Sequence, residues 1–264
     1  MGFGFRGQSD NEAIITAATF KAANRSLNST LITSVERILQ NEIKARNIEY
    51  AVLVGTDLNI IASANTNRTG ETFNPNNLVS QVLQNPRQIK ANAIINASEL
   101  SKEFPSLPEN LKNKDALIRY TVTPVKNPQT QEVIGVLVSG DIVNGKDSIV
   151  KKTLQATNDG YSAIYLNKPT GEFELATSLQ ISSEANRAIP NVSLPPESKS
   201  LLAAAAQAKG KIVTGRINVE GINYTVAAKA VPNQIIQVLD NQQAIYSEKS
   251  PAVLVRGTPE TALE

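Results

Sequence analysis

Leu117-Ile-Arg-Tyr-Thr-Val-Thr-Pro-Val125, the connector Lys126-Asn-Pro-Gln-Thr-Gln131 and Glu132-Val-Ile-Gly-Val-Leu-Val-Ser-Gly140 decide the fold. Both flanking runs are rich in β-branched residues, and Asn-Pro in the connector is a turn signal, so the pair is predicted to be an antiparallel hairpin. Period two divides each strand into faces. Ile118, Tyr120 and Val122 share one side of the first, with Arg119, Thr121 and Thr123 on the other. On the second strand Val136 and Val138 oppose Leu137, Ser139 and Asp141.

Upstream, Tyr50-Ala-Val-Leu-Val-Gly55, a turn at Thr56-Asp-Leu-Asn59 and Ile60 to Ala64 form a second hairpin. Residues 65–115 are polar and Pro-punctuated, with one short helix predicted at Asn77 to Gln84. Loops of that length in a compact domain are usually binding loops or lids. From Asp10 to Asn47 there is no Gly or Pro, and Leu27, Leu31, Val35, Ile38, Leu39 and Ile43 recur on one helix face. This predicts one long helix of roughly 55 Å, whose first half is left to pack elsewhere, against a second copy in a homodimer.

Downstream, the order returns. A helix over Lys146 to Ala156 leads to a hairpin of Tyr161 to Asn167 and Glu172 to Ser178. An Ala-rich helix over Pro196 to Ala208 follows, then strands at Lys211 to Asn218, Asn223 to Val231 and Ala252 to Arg256. The chain therefore reads as α+β, with a helix over 1–48 and two modules at 49–150 and 151–264, each built on a small antiparallel sheet.

The 264 residues include no Cys, His or Trp. Thiolate or imidazole zinc sites, Cys nucleophiles and Ser-His-Asp triads are thereby excluded. A balance of 26 Lys+Arg against 24 Asp+Glu, without a basic cluster, argues against nucleic acid. Neither a membrane span nor a secretory signal is present, as in a piece excised from a larger protein. No phosphate-binding glycine loop, EF-hand or paired catalytic acid is recognisable, so neither an enzyme nor a cofactor is expected.

If the 117–140 hairpin pairs like faces, Arg119, Thr121, Ser139 and Asp141 line one surface. A guanidinium fork beside a carboxylate and two hydroxyls suits a small zwitterion or carboxylate. The same residues also fit a cross-strand ion pair on a solvated face, worth at most about 1 kcal/mol. Arg68 in the following loop is placed to reach over that surface. Tyr120 is a further contact candidate, although its apolar companions suit a core position equally. Tyr161, Tyr165, Arg216, Tyr224 and Lys229 read as packing and surface residues.

Asp115 to Val125, Val133 to Lys146, Tyr161 to Tyr165, Gly171 to Ser178, Val54 to Ala64 and Val255 to Ala262 together resemble the double Cache sensory region of cyanobacterial methyl-accepting chemotaxis receptors and sensor histidine kinases. The resemblance implies a stalk helix beside two PAS-like modules, the first membrane-distal and the second membrane-proximal. It also implies tethering by membrane helices in the parent receptor and an extracytoplasmic, periplasmic location. A small metabolite, amino acid or organic acid, would then bind in the distal module. The amino-acid signature of that family is only partly met: Arg119 and Asp141 can take corresponding parts, but its Trp is missing. A structural, dimerising or protein-interaction module without a ligand is the rival reading.

Overall fold

The computed structural model describes residues 8–103, 107–155, 159–182, 187–238, 241–247 and 249–260. Two helices come first, α1 (Glu12–Ala22) and α2 (Ser29–Arg46). The expected single helix is therefore broken, and asparagine breaks it. Asn24 adopts the left-handed region at φ 54°, while Asn24 N donates to Lys21 O and Arg25 N to Phe20 O, a closure that ends helices. Asn28 Oδ1 then accepts from Leu31 N at 2.7 Å and starts the second helix. We expect Asn28→Ala to cost about 1 kcal/mol in chemical denaturation; an unchanged midpoint would show that the cap is idle.

The break lets α1 fold back. Gln8 Nε2 donates to Glu42 Oε1 at 2.7 Å, tying the residues just before α1 to the last turn of α2. Ile14, Ala17 and Ala18 are buried with Val35 and Leu39 against Ala51, Leu53 and Leu137 of the first sheet. Gly135 admits this approach, because a Cβ there would lie 3.2 Å from Ala18 Cβ and 3.0 Å from Val54 O. The first half of the predicted rod thus covers its own sheet, which removes the packing reason for a second copy.

In chain order there follow β1 (Tyr50–Gly55), β2 (Ile60–Ser63), α3 (Leu78–Gln84), β3 (Ile89–Ile95), α4 (Ala97–Glu103), β4 (Ala116–Lys126), β5 (Val133–Ile142) and α5 (Asp147–Leu154). Next come β6 (Gly160–Asn167), β7 (Phe173–Ser182), β8 (Arg187–Pro190), α6 (Lys199–Gln207), β9 (Val213–Val219), β10 (Ile222–Ala230), β11 (Gln234–Val238), β12 (Asn241–Ile245) and β13 (Ala252–Pro259). The 65–115 stretch holds β3 and α4 as well as the expected short helix. The predicted extension of α5 to Ala156 lies outside the described residues.

Two antiparallel sheets result, ordered β12-β11-β3-β4-β5-β1-β2 and β8-β7-β6-β13-β10-β9. The α+β class with N-terminal helices and two sheets is as expected. One exchange is not: after β10 the chain leaves the second sheet, adds β11 and β12 to the first through β3, and returns as β13. Leu117 and Val143 meet Val150 and Leu154 of α5 and Ile164 and Leu166 of β6 in one apolar cluster, so α5 packs between the two sheets. The other face of the first sheet, opposite α1 and α2, is covered by α3, α4 and their loops.

Candidate functional site

The register of β4 and β5 sets Arg119 opposite Asp141 and Thr121 opposite Ser139. The four residues do share one face. It is the face covered by α1 and α2, since Ser139 in turn pairs with Ala51 and Leu137 with Leu53. Arg119 Nη2 pairs with Asp141, and Lys146 Nζ joins Asp141 at 2.6 Å, Glu49 at 2.6 Å and the Asn47 carbonyl at 3.0 Å. Glu49 Oε2 accepts from Ile142 N at 2.6 Å. Burial raises the Glu49 pKa against the pull of Lys146. This network sits where α2 ends, β1 starts, β5 ends and α5 is about to begin. Ser139 Oγ donates weakly to Thr121 O at 3.5 Å.

Tyr120 and Arg68 lie on the opposite face. Tyr120 belongs to the apolar cluster beneath α3 and α4, and its ring meets Tyr50 edge-on with centroids 6.3 Å apart. Both rings flank Gly140 in register. Arg68, expected over the Arg119 surface, is instead buried on this side, 5.8 Å from the Phe73 ring centroid. The reason is its choice of partners. Nη1 donates to Glu103, Nη2 to Glu99 at 3.1 Å and Nε to Glu71 at 2.9 Å. Asn65 fixes the loop beside them by donating to the carbonyls of Glu49 and Glu103.

Three carboxylates thus surround one guanidinium. Glu103 is fully buried, and burial pushes its carboxyl up to about 7, with Arg68 opposing and Glu99 and Glu71 adding repulsion. Its Oε2 has no partner among the described residues, and the buried Tyr50 hydroxyl makes no hydrogen bond of good geometry. Burial also raises the pKa of both tyrosines, with Glu103 and Glu99 adding to it, so they stay neutral donors. Unpartnered buried polar atoms are costly and call for an explanation. Here they converge under the 65–115 segment, on the face of the sheet that the apolar pattern of β4 leaves concealed.

A match to the model of the double sensory domain of two-component sensor kinases covers residues 11–243. The chain belongs to this family. Three solved structures are similar in fold at low identity. The V. cholerae histidine kinase DctB sensor domain is 14% identical, with 96% of this chain and 86% of that one covered and a TM-score of 0.49. The Vibrio cholerae LuxQ periplasmic domain is 10% identical, with 96% and 88% covered and a TM-score of 0.43. The ligand-binding domain of the Campylobacter jejuni chemoreceptor Tlp3, in complex with 4-methylisoleucine, is 12% identical, with 96% and 84% covered and a TM-score of 0.40. No curated protein matches the chain.

This double sensory domain is a sensory fold rather than a catalytic one. Among its described residues no helix is long and apolar enough to cross a membrane. An open cleft of about 510 Å³ also lies between elements of its two sheets, lined by Asn92, Asn167, Phe173 and Lys249 among others, and none of the expected site residues borders it. Glu103, Glu99, Glu71 and Tyr50 were not expected at a site. The sequence carried one usable signal, the regular spacing of Glu99 and Glu103 at i and i+4, which sets both acids on one face of a short helix.

Proposed function

We propose that this double sensory domain is the extracytoplasmic, periplasmic sensing part of a membrane-tethered sensor kinase or chemoreceptor, and that it takes a small molecule carrying a cationic amine. The site is the Arg68, Glu103, Tyr50 and Tyr120 cluster. In this reading 49–150, with the 234–245 hairpin added to its sheet, form the membrane-distal module, and the rest of 151–264 the membrane-proximal one. One observation carries the reading: among the described residues, a buried carboxylate oxygen has no partner and a buried phenol makes no hydrogen bond of good geometry, beside an arginine whose Nε, Nη1 and Nη2 each already donate to a carboxylate. An organic acid would find no free cation there. An ammonium would find Glu103 Oε2, and a charged donor on a carboxylate gives the stronger kind of hydrogen bond.

Transmission requires the ligand to prefer one arrangement of the module, with a typical coupling of about 1–3 kcal/mol. The Arg119, Asp141, Lys146 and Glu49 network links the sheet beneath the site to the end of α2 and the approach to α5. It is positioned to convert a shift of β4 or β5 into helix movement. A thermal-shift screen at pH 7.5 with primary amines, amino acids and organic acids tests the site, because a ligand that binds only the folded state raises Tm. Amines or amino acids should raise Tm and Glu103→Gln should abolish the shift. Silence of every amine would favour a protein-interaction role. A shift unchanged in Glu103→Gln would remove the site.

A further inference from the structure

A second, smaller hollow lies on the other side of the same sheet. It holds about 250 Å³ between the end of α2, the start of β4, the end of β5 and α5, and is lined by Arg46, Asn47, Arg119, Asp141, Lys146 and Lys152 among others. Four cations face it, and Asp141 is the sole carboxylate among the lining residues. Asp141 is already shared between Arg119 and Lys146. Glu42 engages Arg46 at 2.6 Å and Glu49 engages Lys146 from outside the hollow. Lys152 forms no ion pair among the described residues. Among the described residues Arg119 engages Asp141 through Nη2, and its buried Nε has no hydrogen-bond partner.

We infer that this hollow binds a small carboxylate anion at the junction of α2, the first sheet and α5, independently of the amine site on the opposite face. The chemistry is that of charge matching in a partly enclosed space. An anion there meets the Lys152 ammonium, which has no ion pair among the described residues, and the Arg119 and Lys146 groups that share the single carboxylate of Asp141, so guanidinium and ammonium donors supply charge-assisted hydrogen bonds to it. A volume of about 250 Å³ falls just below the usual range for drug-sized ligands, so the occupant is a compact acid. Lys146 also holds the Asn47 carbonyl at the end of α2, so an anion drawing on Lys146, Arg119 and Lys152 would stiffen the contact between that helix end and α5.

Calorimetric titration with sodium acetate, malonate and succinate, against sodium chloride at matched ionic strength, tests this. At least one carboxylate should bind saturably where chloride does not. Lys152→Gln, a change at an exposed side chain with no ion pair among the described residues, should weaken it tenfold or more, and Arg119→Gln should do the same. Glu103→Gln should leave it unaltered, which separates this site from the amine site. Equal heats from chloride and carboxylates, or full affinity retained in Lys152→Gln, would overturn the inference.

Discussion

Gly140→Ala is expected to lower unfolding free energy by about 3 kcal/mol, near the upper end for overpacking a core. A Cβ at Gly140 would lie 2.3 Å from Cε1 and Cζ of Tyr50 and 2.8 Å from its hydroxyl. The ring has little room to withdraw. It is fully buried and meets Tyr120 edge-on at an interplanar angle of 69°. Gly140 on β5 is therefore what allows two tyrosines, on the strands to either side of it, to stand over one spot. Urea denaturation of Gly140→Ala, Tyr50→Ala and the double variant checks the cause. The double variant should be more stable than the sum of the single losses predicts, by at least about 1 kcal/mol, as expected for side chains in contact. Strict additivity would show that the glycine acts on the backbone instead.

Arg68→Met should be costlier still at alkaline pH and much milder at acid pH. Removing the guanidinium leaves Glu103 buried without its counter-charge, a loss of about 3–5 kcal/mol when the carboxylate is ionised. The sign follows from Glu103. Its folded pKa of about 7 lies above its ordinary value of 4.5, so the folded state keeps a proton that the unfolded chain releases. The stabilisation is present below about 4.5 and fades as pH rises through about 7. The raised pKa of Glu49 acts in the same direction. Wild-type stability should therefore fall between pH 5 and 8. The deficit of Arg68→Met should grow over the same interval, from about 1–2 kcal/mol of lost hydrogen bonding at pH 5. Denaturation at the two pH values measures it. A deficit independent of pH would mean that Glu103 stays ionised throughout.

Both effects concern residues whose partners are remote in sequence, and this separates what was legible from what was not. Strands β1, β2, β4 and β5 are announced by β-branched runs and turn signals, and the alternation on β4 and β5, with like faces paired, puts Arg119 and Asp141 on one face as the register does. What alternation does not say is which face is covered by what. The helices took the Arg119 face, and the concealed tyrosine face went to α3, α4 and their loops. Arg68 looked like an exposed loop arginine because Glu103, its buried partner, is 35 residues away on a helix of seven residues.

The break between α1 and α2 has a local cause. The absence of Gly and Pro predicts continuity, while Asn24 supplies the left-handed closure and Asn28 the N-cap. Strand β3 carries an alternating buried and half-buried pattern over Ile89-Lys-Ala-Asn-Ala-Ile-Ile95, a short alternation that the polar residues on either side of it mask. The move of β11 and β12 into the first sheet has no local signature. Strand pairing is decided by the edge that β3 offers, and that edge exists only once the sheet has formed.

The amine site rests on Glu103, and proton exchange during binding tests it most directly. An ammonium beside Glu103 stabilises its ionised form, so calorimetric titration near pH 6.5 with the strongest amine from the screen should release protons. The observed enthalpy should then vary with the ionisation heat of the buffer, and Glu103→Gln should abolish that dependence together with binding. Binding with an enthalpy indifferent to buffer, or with the same proton release in Glu103→Gln, would contradict a role for this carboxylate in recognition.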